Sequence, residues 1–194
     1  MTRTVYLTAT SADGFIADDK NSLSWLFEVP TEEDQPPHEN EFGSFFGRIG
    51  AFAMGATTYE WVLDHEDMLD HPERWTDPYG DVPCWVFTHR ELPAIPGVNL
   101  TFVEGDVAPV HAAMAAEAGD SDIWLVGGGD LVGAFDDQGL LDEVRLSIQP
   151  VFLGYGAPLL PRQITSERMR LRAVDRNGQS VELVYDVGPV PSKP

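Results

Sequence analysis

The sequence predicts a single α/β domain, and three observations carry the prediction. Residues 123–126 form a short apolar run that feeds three consecutive glycines, Gly127, Gly128 and Gly129, and then a helical pattern from about Asp130 to Asp137. The same order recurs at AFAMGATTYEWV, residues 51–62, where a strand-like run turns at Gly55 into another helix. A chain of 194 residues with 43% hydrophobic and 10% aromatic content can bury one sizeable core. No repeat or linker divides it.

Residues 5–10 alternate β-branched and small side chains and read as the first strand. Asp13-Gly14 follows as a hairpin-like turn. A polar stretch at 18–24 leads to Trp25-Leu26-Phe27, an apolar triplet suited to the core or to the wall of a flat ring-binding pocket. Residues 30–41 read as a solvated loop entering a helix over about 39–49, with Phe42, Phe45, Phe46 and Ile49 on its core face. His65 and His71 stand among carboxylates at 64–73, but with no H-x-x-x-H pair and no cysteine partner the segment reads as solvated acid; no metal is expected. Cys84 is a small core residue in the apolar run 82–87, which ends in the polar cluster Thr88, His89 and Arg90. Open α/β sheets bind ligands at such strand ends.

A short strand at 99–103 and an alanine-rich helix at 109–118 precede the triple glycine. Gly139 stops the helix after it, and residues 140–152 read as one long half-buried strand. Asn177-Gly178, between alternating runs at 169–174 and 180–187, predicts a hairpin. The domain is expected to span residues 1–188, with a disordered tail at 189–194.

The formal net charge of -20 disfavours nucleic acid and anionic membranes as partners. No apolar run is long enough to cross a bilayer and no basic-then-apolar leader opens the chain, so a cytoplasmic location is expected. An anionic cofactor needs a local exception to that charge, and Arg90 is the best placed cation. Glycine turns supply the rest, because backbone without Cβ approaches a ligand closely and the first helical N–H groups point at an anion. The dinucleotide fingerprint itself fails, since Val132 stands where its third glycine belongs. A tight turn needing glycine only for geometry fits the same residues. Thr57 or Thr58 is either an ordinary N-cap or a phosphate ligand.

Taken together, SADGFIA (11–17), Trp25-Leu26, MGATTYE (54–60), VFTHR (86–90), LVGGGDL (125–131) and LLDEVRLSIQPVFLGYGAPLLP (140–161) resemble the dihydrofolate reductase superfamily. Within it, the chain looks most like stand-alone relatives of the reductase domain of bacterial riboflavin biosynthesis, the RibD C-terminal type. The resemblance covers about residues 4–187 and implies a dihydrofolate-reductase-like three-layer fold. Its mixed, mostly parallel sheet is flanked by helices and finished by an antiparallel C-terminal hairpin. It also implies NADPH, with NADH less favoured, lying across the strand ends. Gly55, Thr57 and Thr58 match the first phosphate turn. Thr88, His89 and Arg90 match the surroundings of the adenosine 2′-phosphate. Gly127, Gly128 and Gly129, with Asp130 and Leu131, match the pyrophosphate turn, where the family often has a cis peptide between the first two glycines.

Two departures bear on specificity. Ala56 stands where relatives often carry arginine, and Val126 stands where riboflavin-pathway reductases have a glutamate that helps hold the ribosylated substrate. Hydride transfer asks side chains mainly for orientation, a dry pocket and, for an imine or carbonyl acceptor, a proton source. Asp13 is the leading polar candidate, with Trp25 and Phe27 as walls; Asp142 and Glu143, acids after the Gly139 turn that read as ordinary surface residues, and Tyr155 are weaker. Glu28, Glu32, Glu33, Asp34 and Glu39 have no settled register against the ring-binding carboxylate of folate enzymes. The reading is an NADPH-dependent reductase of a small heterocycle, pterin-like or related. The alternative is a non-catalytic, dimeric nucleotide-binding protein of the same fold. A homodimer is expected from the apolar strand at 140–152.

Overall fold

A computed structural model describes residues 2–29 and 41–191. The chain runs β1 (Thr4–Ser11), β2 (Phe15–Ala17), α1 (Ser24–Phe27), α2 (Glu41–Phe46), β3 (Ile49–Gly55), α3 (Ala56–His65), α4 (Glu73–Tyr79), β4 (Cys84–Phe87) and β5 (Leu100–Val103). It continues α5 (Val107–Ala118), β6 (Asp122–Gly127), α6 (Gly129–Asp137), β7 (Glu143–Gln149), β8 (Ala157–Pro158), β9 (Met169–Asn177) and β10 (Ser180–Val187). The main sheet has eight strands in the order β5-β4-β3-β6-β1-β7-β10-β9. Neighbours from β5 to β7 pair in parallel, and β10 pairs antiparallel with both β7 and β9. This is the mixed, mostly parallel sheet with a C-terminal hairpin that the sequence predicts.

Strand alternation divides the core into two layers. On β3, Phe52 and Met54 point to one layer and Ala51 and Ala53 to the other. Val5 and Tyr6 separate in the same way, as do Val86 and Trp85. The first layer is covered by α2, α3 and α4 through Phe45, Tyr59 and Trp75, the second by α5 and α6 through Met114 and Phe135. Asp106 starts α5 by accepting a hydrogen bond from the Ala108 N–H at 3.1 Å.

Four expectations change. The strand expected over 140–152 is only Glu143–Gln149, because Pro150 has no N–H for the ladder and the Val151 carbonyl accepts from the Ala12 N–H instead. The helix expected over 39–49 is described as Glu41–Phe46, and Ile49 already opens β3. Asp13-Gly14 does not make a hairpin: β2 pairs with β8, far along the chain, while Gly14 turns at φ 89°. Glu143, expected at the surface, is buried. The expected hairpin at the C-terminus is present, with Ser180 opposite Asn177 and Gly178 at φ 58° in the two-residue loop. The solvated loop expected over 30–41 lies, apart from residue 41, outside the described residues, as do Glu32, Glu33, Asp34 and Glu39 and residues 192–194.

Candidate active site

A cavity of about 590 Å³ opens at the carboxyl ends of the central strands, where open α/β sheets place their ligands. Two strand-to-helix turns form one wall. β6 ends at Gly127, whose peptide bond to Gly128 is cis; Gly128 is the N-cap of α6 and offers no side chain to the first helical N–H groups. β3 ends at Gly55, the N-cap of α3, again with no side-chain cap. Thr57 and Thr58 are therefore not the cap, and both line the cavity. The turns are neighbours, since a methyl group on Gly55 would stand 3.8 Å from the Gly127 carbonyl oxygen and the Gly128 nitrogen. Gly129 is required for packing: a methyl group there would stand 2.5 Å from the carbonyl oxygens of Pro158 and Leu159. That contact brings β8 against the cavity rim, where Ala157 and Pro158 line it.

The other walls are largely apolar. Leu7 and Ala9 of β1, Val126, Trp124, Trp25, Trp61 and Tyr79 contribute. Trp124 donates its indole N–H to the Leu7 carbonyl at 3.1 Å. Trp25, only 6% exposed, has a buried indole N–H with no partner among the described residues. Trp75, which lies outside the cavity lining, has the same unpaired indole N–H, and each such donor costs about 1–3 kcal/mol. Trp61 stacks on His65 with ring centroids 4.3 Å apart; Phe27, expected as a wall, lies outside the cavity lining, 62% exposed, and stacks on both rings. Burial raises the Tyr79 phenol above its ordinary value, so it stays an O–H donor across the ordinary pH range.

The pattern of residues matches the RibD C-terminal domain model over residues 4–183. The chain belongs to the RibD C-terminal domain family. It is 31% identical over 183 residues to YwjB of Bacillus subtilis, itself uncharacterised, covering 94% of this chain and 97% of that one. A putative riboflavin biosynthesis protein from Shewanella sp. PV-4 superposes with a TM-score of 0.76 at 23% identity, covering 96% and 99% of the two chains. The dihydrofolate reductase of Enterococcus faecalis superposes with a TM-score of 0.53 at 13% identity, covering 95% and 96%. These two structural likenesses establish the fold.

In this member of the RibD C-terminal domain family, Thr57, Thr58, Gly127, Gly128, Gly129, Asp130, Leu131 and Trp25 come together around one cavity. Gly55 sits just behind it as the α3 cap. Asp13 does not line it. Its carboxylate accepts from Ser11 Oγ at 2.6 Å and from the Gly154 and Leu153 N–H groups at 2.7 and 3.1 Å, tying the β1–β2 turn to the loop after β7. The Ser11 hydrogen bond, followed by those two N–H donors, holds its carboxyl below the ordinary carboxylate range. An acceptor so engaged is a poor proton donor, and we assign Asp13 to positioning the loop.

Thr88, His89 and Arg90 lie outside the cavity lining at the end of β4. Thr88 Oγ accepts from the Arg90 N–H at 2.9 Å, and His89 lies 3.7 Å from Glu104. Arg90, the cation expected to meet a 2′-phosphate, is paired with Glu60 through two 2.7 Å hydrogen bonds. Of the weaker candidates, Asp142 accepts from the Thr4 N–H at 2.8 Å, Glu143 is buried among arginines at the opposite end of the sheet, and Tyr155 is 66% exposed. Sequence reasoning missed Trp61, Tyr79 and Trp124. Trp61 was within reach, because it follows Thr57 by four residues on one helix face; Tyr79 and Trp124 join the site only through tertiary packing.

Proposed function

We propose that the protein is a reductase that uses a reduced nicotinamide dinucleotide to reduce a small, flat, uncharged heterocycle. The observation that carries this reading is the pair of side-by-side, glycine-opened helix N-termini facing a cavity with largely apolar walls, Trp25 among them. The residues fit the cofactor. Backbone N–H groups at the starts of α3 and α6, with the hydroxyls of Thr57 and Thr58, would hold its pyrophosphate. When bound, the dinucleotide supplies the hydride. Leu7, Ala9, Val126 and Trp61 would exclude water and bracket a planar ring, and Trp25 and Tyr79, which also line the cavity, are the candidate donors to a ring acceptor. That the Enterococcus structure holds NADP(H) supports a nicotinamide partner for this fold.

A second reading, a non-catalytic nucleotide-binding protein, has one observation in its favour. Asp130, the one carboxylate among the described residues lining the cavity, has an 88% exposed side chain on the glycine turn and not in the apolar part. Titrating tryptophan fluorescence with NADH and NADPH tests binding. Following loss of reduced-nicotinamide absorbance with pterin, pyrimidine and quinone acceptors then tests turnover. Saturable binding with acceptor-dependent oxidation supports the reductase. Binding without oxidation by any acceptor favours the second reading, and no binding by folded protein removes both.

The homodimer belongs to the same proposal. Leu171, Val174 and Val181 of the C-terminal hairpin are 51%, 56% and 41% exposed and lie on one face of the sheet, which suits a second copy. A monomer mass in sedimentation at working concentration rules it out.

A further inference from the structure

We propose that Glu60 sets the preference at the adenosine 2′ position of the cofactor, favouring NADH over NADPH; the inference rests on the reductase reading above. With the nicotinamide in the apolar part of the cavity and the pyrophosphate on the two turns, the adenosine half must continue outward along the strand ends. The strand beyond β3 is β4, with Phe87 opposite Gly55, so Thr88 to Arg90 stand beside the start of α3. Ala56 brings no charge to that position. Arg90 brings one, but both of its terminal nitrogens are engaged at 2.7 Å by the two carboxylate oxygens of Glu60, three residues along α3 from Thr57. This fork-to-fork pairing is the strongest arrangement an arginine and a carboxylate can adopt. The charged groups around it lean acidic: Glu91 is exposed next to Arg90, and His89 faces Glu104 at 3.7 Å.

The two cofactors meet this corner differently. A 2′-phosphate, carrying close to two negative charges, must either draw Arg90 from Glu60 or share it through the remaining N–H groups, and in both cases it sits beside that carboxylate and is repelled by it. A 2′-hydroxyl instead donates a hydrogen bond to a carboxylate, as acidic residues do for the adenosine ribose in NAD-binding sites, and leaves Arg90 where it is. Glu60 is thus a specificity residue. Arg90, which by sequence alone argues for NADPH, serves to orient it.

The test is fluorescence titration of the full chain and of Glu60→Ala and Glu60→Ala/Arg90→Ala variants with each cofactor. We expect the wild-type protein to bind NADH about tenfold more tightly than NADPH. Glu60→Ala should tighten NADPH about tenfold and weaken NADH by about threefold or more, and removing Arg90 as well should abolish the NADPH gain. Wild-type preference for NADPH, or a Glu60→Ala variant in which the ratio of the two affinities does not move, overturns the inference and leaves the reductase reading standing. Failure of either cofactor to bind a protein shown folded by near-ultraviolet circular dichroism removes the reductase reading and this inference with it.

Discussion

At the end of the sheet where β1 and β7 begin, charge is abundant and paired; in the cavity at the end where β3 and β6 finish, it is scarce and the helix N-termini have no side-chain caps. Glu143, 1% exposed, receives Arg3 and Arg172 at 2.7 Å each and Arg145 as well. Asp186 accepts from Arg3 at 2.6 Å and from Arg172 at 3.0 Å, so the two acids share two of the arginines and stitch β1, β7, β10 and β9 together. The cavity end has glycine turns without side-chain caps, two threonine hydroxyls and an unpaired indole N–H. Satisfied charges order a fold, whereas unsatisfied donors beside a cavity are poised for a ligand.

Breaking the paired end should have the largest effect on stability. Glu143→Ala leaves three arginines around a buried space and is expected to cost roughly 3 kcal/mol by urea denaturation, while folded protein retains its affinity for the dinucleotide. If cofactor affinity falls with stability, the two ends are not independent. Gly129→Val drives a side chain into the Pro158 and Leu159 carbonyls, so it should cost roughly 2 kcal/mol and weaken cofactor binding in the protein that still folds. A variant binding like wild type would show that β8 is free to move away from α6.

Trp25→Phe keeps a ring and removes the orphan donor. Stability should stay within about 1 kcal/mol of wild type, with substrate binding weakened about tenfold and cofactor binding unchanged. Unaltered substrate affinity would show that the indole N–H contacts nothing in turnover.

The smallest effect is a pH slope from His111, whose Nε2 lies 2.8 Å from Thr4 Oγ1 near the charged end. Burial, only partly opposed by Asp142, lowers its pKa from the ordinary 6.5. The unfolded chain therefore takes up the proton first, so this contribution is complete above pH 6.5 and is lost as pH falls from there toward the folded value. Thermal unfolding from pH 8 to 5 should show less loss in this window for His111→Leu; identical slopes would assign the acid sensitivity elsewhere.

By itself the sequence determined the elements whose causes are local. Period-two alternation marked β1, the triple glycine and MGATT marked two open helix N-termini, and Asn177-Gly178 marked the hairpin, because backbone conformation there depends on the residues in place. Tertiary structure decided every assignment that rests on a partner distant in the chain. Asp13 read as a catalytic acid until Leu153 and Gly154 occupied its oxygens, and Glu143 read as surface until Arg3 and Arg172 closed over it. Arg90 read as a free cation until Glu60, thirty residues earlier, claimed its guanidinium. Charge and hydrogen-bonding capacity are written in each residue; whether that capacity is spent within the fold or left for a ligand depends on distances that only folding sets.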